Sequence, residues 1–208
     1  MLTDIWRVRE QIKSDTMGNR VERLMEGDEF LLWCLDQEDR YELVNGVPVK
    51  MMAGASEVHD RILVNVISLL NGQLRGSPCR PTTADIAVRT RIRNYRRPDV
   101  TVTCGSPPRA DRYDAEEPKM VVEVLSPSNF GLDWQRKLEE YRNHPTLRYI
   151  LLVDPKLPGA TLISRTATDW THRNFDTLTD VIELPDINCR LAMADIFETV
   201  EFVEREVT

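Results

Sequence analysis

The chain has 208 residues, of which 41% are hydrophobic and 29% charged, and a net charge of −7. That length suits one good core with a small extension, and the acidic balance argues against a protein that coats nucleic acid without specificity. No apolar run approaches the roughly 18 residues of a membrane helix, and the opening "MLTDIWRVREQIKSD" carries charges throughout, unlike a secretory signal.

Residues 1–19 read as a polar extension. An amphipathic helix is expected from Arg20 to Leu35, with Leu24, Phe30, Leu31 and Leu35 against the core. "RYELVNGVPVKM" predicts a hairpin, because Asn45-Gly46 is a favoured two-residue turn between the arms Tyr41–Val44 and Val47–Met51. Ser56 is placed to cap a helix running to about Leu74. Its apolar stripe is Ile62, Leu63, Val66, Ile67, Leu69 and Leu70, and His59 lies one turn before it on the same side. Strand-like segments follow at Thr83–Ile92, Asp99–Cys104 and Met120–Leu125, the last two separated by "GSPPRADRYDAEEP". A helix from Leu132 to Asn143 ends before Pro145, which cannot continue it. "RYILLVDP" is a buried strand, "ATLISR" and "WTHRNF" a meander, "DVIELP" a short strand, and "LAMADIFE" a closing helix. The sum is one α/β or α+β domain over residues 20–198, with an acidic tail at 199–208. Cys34, Cys79, Cys104 and Cys189 show no CxxC spacing, which predicts idle thiols in a reducing, cytoplasmic setting and no structural zinc.

Glu123 breaks the apolar strand "VVEVL", and a buried carboxylate is costly unless a cation or hydrogen-bond donor meets it. Asp99 follows Pro98 at the start of another strand, so neighbouring strands can set the two carboxylates side by side. Such a pair repels itself unless a cation or a proton lies between, and hard oxygen ligands favour Mg²⁺ or Mn²⁺. Lys137 shares a helix face with Asp133 and Tyr141 and can bring an ammonium to the same place. There it could hold or deprotonate a water, or neutralise charge on a phosphorane-like transition state.

The ordered set "RYELVNG", "VHDRI", "RRPDVTV", "VVEVLSPSN", "KLEEY" and "YILLVDP" resembles the Uma-two family of the PD-(D/E)XK nuclease superfamily, over about Phe30 to Phe197. The resemblance implies a restriction-endonuclease-like α/β (α+β) fold, a central mixed sheet flanked by helices, and metal-dependent hydrolysis of DNA. It makes Asp99 and Glu123 metal ligands, with the carbonyl of Val124, and Glu42 and His59 neighbours of the site. The lysine expected two residues after the glutamate is Leu125 here, so the resemblance implies that Lys137 has taken its role. DNA is the implied substrate, and a homodimer would suit the cutting of a duplex. The rival expectation is a nuclease-fold module without chemistry, binding nucleic acid or a protein; Leu125 and the net acidity favour it.

"RTRIRNYRR" has two readings. Alternation sends Arg89, Arg91 and Arg93 to one face, which can be a solvated sheet surface. Alternatively Arg91, Arg93, Arg96 and Arg97 form a phosphate-binding rim just upstream of Asp99. Ser126 and Ser128 are expected to make a turn and cap, Asp154 to make a turn, and His144 and His172 to stay outside the site.

Overall fold

In the computed structural model, residues 24–51, 56–126 and 132–202 are described. The expected N-terminal extension, residues 20–23, Ser128 and residues 203–208 lie outside them.

The first helix among the described residues, α1 (Gly27–Cys34), is shorter than its apolar pattern suggests. Phe30 and Leu31 are buried as expected, whereas Leu24 and Leu35 lie beyond its two ends and are exposed, which corrects their assignment to the core. Gly27 is required by space, since a Cβ there would meet the Tyr95 ring at 2.3 Å. The hairpin β1 (Tyr41–Val44) and β2 (Val47–Lys50) turns at Asn45 (φ 51°) and Gly46 (φ 83°), the left-handed pair that this turn demands. Helix α2 (Glu57–Gln73) starts where Ser56 Oγ accepts the His59 backbone N–H at 3.2 Å.

The segment Thr83–Ile92 is not one strand. It contains the end of β3 (Cys79–Thr83), a turn, and β4 (Val88–Arg91), which folds back on β5 (Asn94–Arg96). The turn is held from a distance: the Arg97 guanidinium donates to the carbonyls of Ala84 (3.1 Å) and Asp85 (2.6 Å). Local pattern reading cannot see that contact. Next come β6 (Val100–Cys104), β7 (Pro118–Val124), α3 (Leu132–Asn143), β8 (Tyr149–Asp154), β9 (Gly159–Arg165) and β10 (Trp170–Phe175). The ribbon β11 (Val181–Leu184) and β12 (Cys189–Ala192) leads to the short α4 (Met193–Ile196), so the expected "LAMADIFE" helix begins as a strand.

The large sheet runs β10-β9-β8-β7-β6-β3, and β7–β8 is its one parallel pair, joined by α3 as the crossover. A four-stranded sheet, β2-β1-β5-β4, stands on the other side of α3. Ile62, Val66 and Leu70 of α2 pack on Val100, Val102, Met120, Val122 and Val124 of the large sheet. Tyr141 and Leu138 of α3 lie among Val121 and Ile150 of that sheet and Val88 of the small one. The fold class is therefore mixed α+β, with a central mixed sheet between helices.

Two other expectations change. Cys79 and Cys104 face each other across β3 and β6 and form a disulfide, while Cys34 and Cys189 are free. Their meeting is a matter of sheet register, which spacing along the chain does not reveal, and it removes the cysteine argument for a reducing compartment. The start of the expected acidic tail is packed: Phe202 meets Phe197 edge-on at 5.3 Å. Asp154 makes its turn by accepting the Lys156 N–H at 2.8 Å. Among the described residues, no helix is long and apolar enough to cross a membrane.

Candidate active site

Strand alternation decides where Glu123 points. Met120, Val122 and Val124 face α2, so Val121 and Glu123 face α3. Glu123 is almost fully buried there, and two donors from α3 reach its Oε1: Lys137 Nζ at 2.8 Å and the Tyr141 hydroxyl at 2.8 Å. Burial pushes the Glu123 carboxyl up to about 7; Lys137 pulls against that and the Asp99 charge adds to it.

Asp99 reaches the same end of the sheet. Val100 pairs with Val122, so one step back along β6 and one forward along β7 set Asp99 opposite Glu123. Asp99 Oδ2 accepts the Val124 N–H at 2.8 Å and lies 3.5 Å from His59 Nε2. His59 is raised above the ordinary imidazole value, first by its hydrogen bond to Asp99, against the effect of burial. Its Nδ1 is buried without a partner among the described residues.

Lys137 bridges the two sheets, for its ammonium also lies 3.2 Å from Glu42 Oε1 on β1. Burial alone would lower its pKa, but Glu123 and Glu42 hold it well above the usual lysine value. It is a fixed cation. Burial opposes ionisation of Glu42 too, yet Lys137, Arg96 and the Arg97 N–H (3.0 Å) hold its carboxyl down to about 2. Both Glu42 oxygens are thereby engaged, since Arg96 Nη1 takes Oε2 at 2.9 Å.

Arg96 closes a ring. Its side chain is fully buried and donates twice to Glu140 of α3, Nε to Oε2 at 2.8 Å and Nη2 to Oε1 at 3.0 Å. Asn94 (2.6 Å) and Thr90 (2.7 Å) complete the Glu140 shell. The two cations Lys137 and Arg96 thus face three buried carboxylates, Glu42, Glu123 and Glu140, while Asp133 lies 3.6 Å from Arg96 and Asp99 is faced by His59. Among the described residues, no three His, Cys, Asp or Glu side chains gather as a metal cage. Asp99 and Glu123 offer two carboxylates, the ligand number with which Mg²⁺ is commonly held while it keeps its waters. The donor set therefore fits a hard cation.

The Uma2 family model, described as "Putative restriction endonuclease", matches residues 28–194. The chain belongs to the Uma2 family. The uncharacterised protein slr1290 of Synechocystis sp. is 30% identical over 177 residues, 84% of this chain and 92% of its own. A second Synechocystis protein, sll1609, is 27% identical over 135 residues, 64% of this chain and 76% of its own. The crystal structure of "a putative nuclease belonging to DUF820" from Anabaena variabilis superposes with a TM-score of 0.66 at 18% identity, covering 83% of this chain and 97% of that one. The family supports a nuclease function, and the structural neighbour shows the fold.

Of the residues singled out in the sequence, Asp99, Glu123, Lys137, Glu42 and His59 of this Uma2 chain come together, with Val124 beside Asp99. Arg96 and Arg97 do not form a rim. Both are buried and spend their donors inside the fold, Arg97 on the Tyr41 carbonyl (2.9 Å) as well as the turn. Arg91 and Arg93 are exposed, on β4 and its turn, and Arg93 lies 3.4 Å from Glu26. His144 is buried away from these groups, and its pKa falls to about 4 chiefly through burial. Sequence reading gave Arg96 a different role and missed Glu140, Asn94 and Thr90. A signal existed: α3 reads "LDWQRKLEEYRN", too polar for a helix between two sheets unless its inner face is itself charged.

Proposed function

We propose that this Uma2 chain is an Mg²⁺- or Mn²⁺-dependent endonuclease that hydrolyses DNA phosphodiester bonds. The observation that carries the reading is the meeting of Asp99 and Glu123 across β6 and β7, with the Lys137 ammonium 2.8 Å from Glu123. In this reading Asp99, Glu123 and the Val124 carbonyl hold the cation. The bound ion would supply Lewis acidity and a water of lowered pKa.

Lys137, held protonated by two carboxylates, serves as a fixed positive charge beside the scissile phosphate and not as a proton acceptor. Glu42 contributes by anchoring that ammonium, because its own oxygens are already taken by Arg96, the Arg97 N–H and Lys137. His59 orients Asp99 from the start of α2. Of the four arginines of the expected rim, Arg91 and Arg93 are the exposed two that can meet a DNA backbone.

Calorimetric titration of Mg²⁺ and Mn²⁺ into the wild type and Glu123→Ala tests the metal, followed by plasmid nicking for the chemistry. Binding and nicking should both vanish in the variant. Nicking that survives in Asp99→Ala or Glu123→Ala would remove the reading. The rival is a nuclease-fold module that binds nucleic acid or protein without cutting, and Leu125 in the usual lysine position is its support. A wild type that binds neither ion would favour it.

A further inference from the structure

Glu123 receives both of its side-chain donors on one oxygen. Lys137 Nζ and the Tyr141 hydroxyl each lie 2.8 Å from Oε1, and among the described residues no donor reaches Oε2. Lys137 and Tyr141 are one turn apart on α3, so they approach the carboxylate from the same side. Tyr141 is fully buried against Val121 and Ile150, and its hydroxyl finds no other acceptor among the described residues. The carboxylate is therefore fixed in one rotation, with Oε2 as its open oxygen.

We propose that Tyr141 is a positioning residue that sets which divalent cation this site prefers, by occupying Oε1 and so denying a cation two-oxygen coordination by Glu123. The inference rests on the metal reading given above. Small cations such as Mg²⁺ need six well-placed ligands and accept a carboxylate through one oxygen. Ca²⁺ takes six to eight oxygens and gains when a carboxylate supplies both. Lys137 divides its ammonium between Glu123 and Glu42. Among the described residues, the Tyr141 hydroxyl has no such second acceptor.

The test is calorimetric titration of Mn²⁺ and of Ca²⁺ into the wild type, Tyr141→Phe and Tyr149→Phe, each shown by circular dichroism and thermal unfolding to be folded. Tyr149 is the control, because its hydroxyl donates to Asp186. The wild type should bind Mn²⁺ more tightly than Ca²⁺. In Tyr141→Phe the affinity ratio should move toward Ca²⁺ by about tenfold, the size of one hydrogen bond's net contribution, while Tyr149→Phe leaves it unchanged. A wild type that binds Ca²⁺ as tightly as Mn²⁺ overturns the proposal. So does a ratio unmoved in Tyr141→Phe, an equal loss of both ions, or the same shift in Tyr149→Phe. A wild type that binds neither ion overturns the metal reading itself, a different result from any of these.

Discussion

The two faces of the large sheet are built from alternate residues of the same strands and are held by opposite physics. Toward α2, Val122 and Val124 meet Ile62, Val66 and Leu70 in an apolar cluster. That contact is non-directional and scales with the area removed from water. Toward α3, the neighbouring positions Val121 and Glu123 meet Tyr141 and Lys137, and behind them Arg96 links Glu42 to Glu140. Charges so buried are worth little as a set compared with apolar packing, yet removing one member leaves its partners unpaired. One face supplies stability, and the other spends part of it to hold a buried network of charges.

Three experiments sharpen that contrast. Arg96→Ala strands Glu42 and Glu140 without their guanidinium, and unfolding in urea should show a loss of about 4 kcal/mol. A loss below about 1 kcal/mol would mean that water replaces the arginine and that the ring is not structural. On the opposite face, Leu70→Ala should cost about 3 kcal/mol through its cavity. Its Mn²⁺ affinity should match that of the wild type, because the site's contact with α2, His59 on Asp99, lies about three turns from Leu70; a parallel loss of metal would show the faces to be coupled.

The third experiment uses pH. Glu42 titrates near 2 in the folded protein, below its ordinary 4.5, so its contribution is complete above pH 4.5 and is lost as pH falls toward 2. Glu123 titrates near 7, above its ordinary 4.5, so its contribution is present below pH 4.5 and is lost as pH rises through 7. A cation on ionised Glu123 offsets that second loss. Melting curves should therefore show Mn²⁺ raising Tm more at pH 8 than at pH 5.5, by roughly 3 °C for each kcal/mol of difference. An equal rise at both pH values would place the ion away from Glu123.

Much of this was legible along the chain. Asn45-Gly46 could scarcely be anything but a tight turn, Ser56 capped its helix, and Pro145 lies just past the end of α3. Glu123 stood out because a lone carboxylate in an aliphatic strand demands a partner, and the same demand led to Asp99 and Lys137. The arginine-rich stretch was misread in part because alternation gives a face but not what covers it. Arg91 is exposed, while Arg96, on the next strand of the same hairpin, lies under α3.

The sequence by itself determined most local elements and the residue types of the candidate site, because caps, turns and strand period depend on neighbours a few positions away. Only the tertiary structure decided which arginine neutralises which glutamate, that Cys79 meets Cys104, and that Tyr141 shares an oxygen of Glu123 with Lys137. Those outcomes depend on sheet register and on a helix laid between two sheets, which bring together groups that the chain itself keeps far apart.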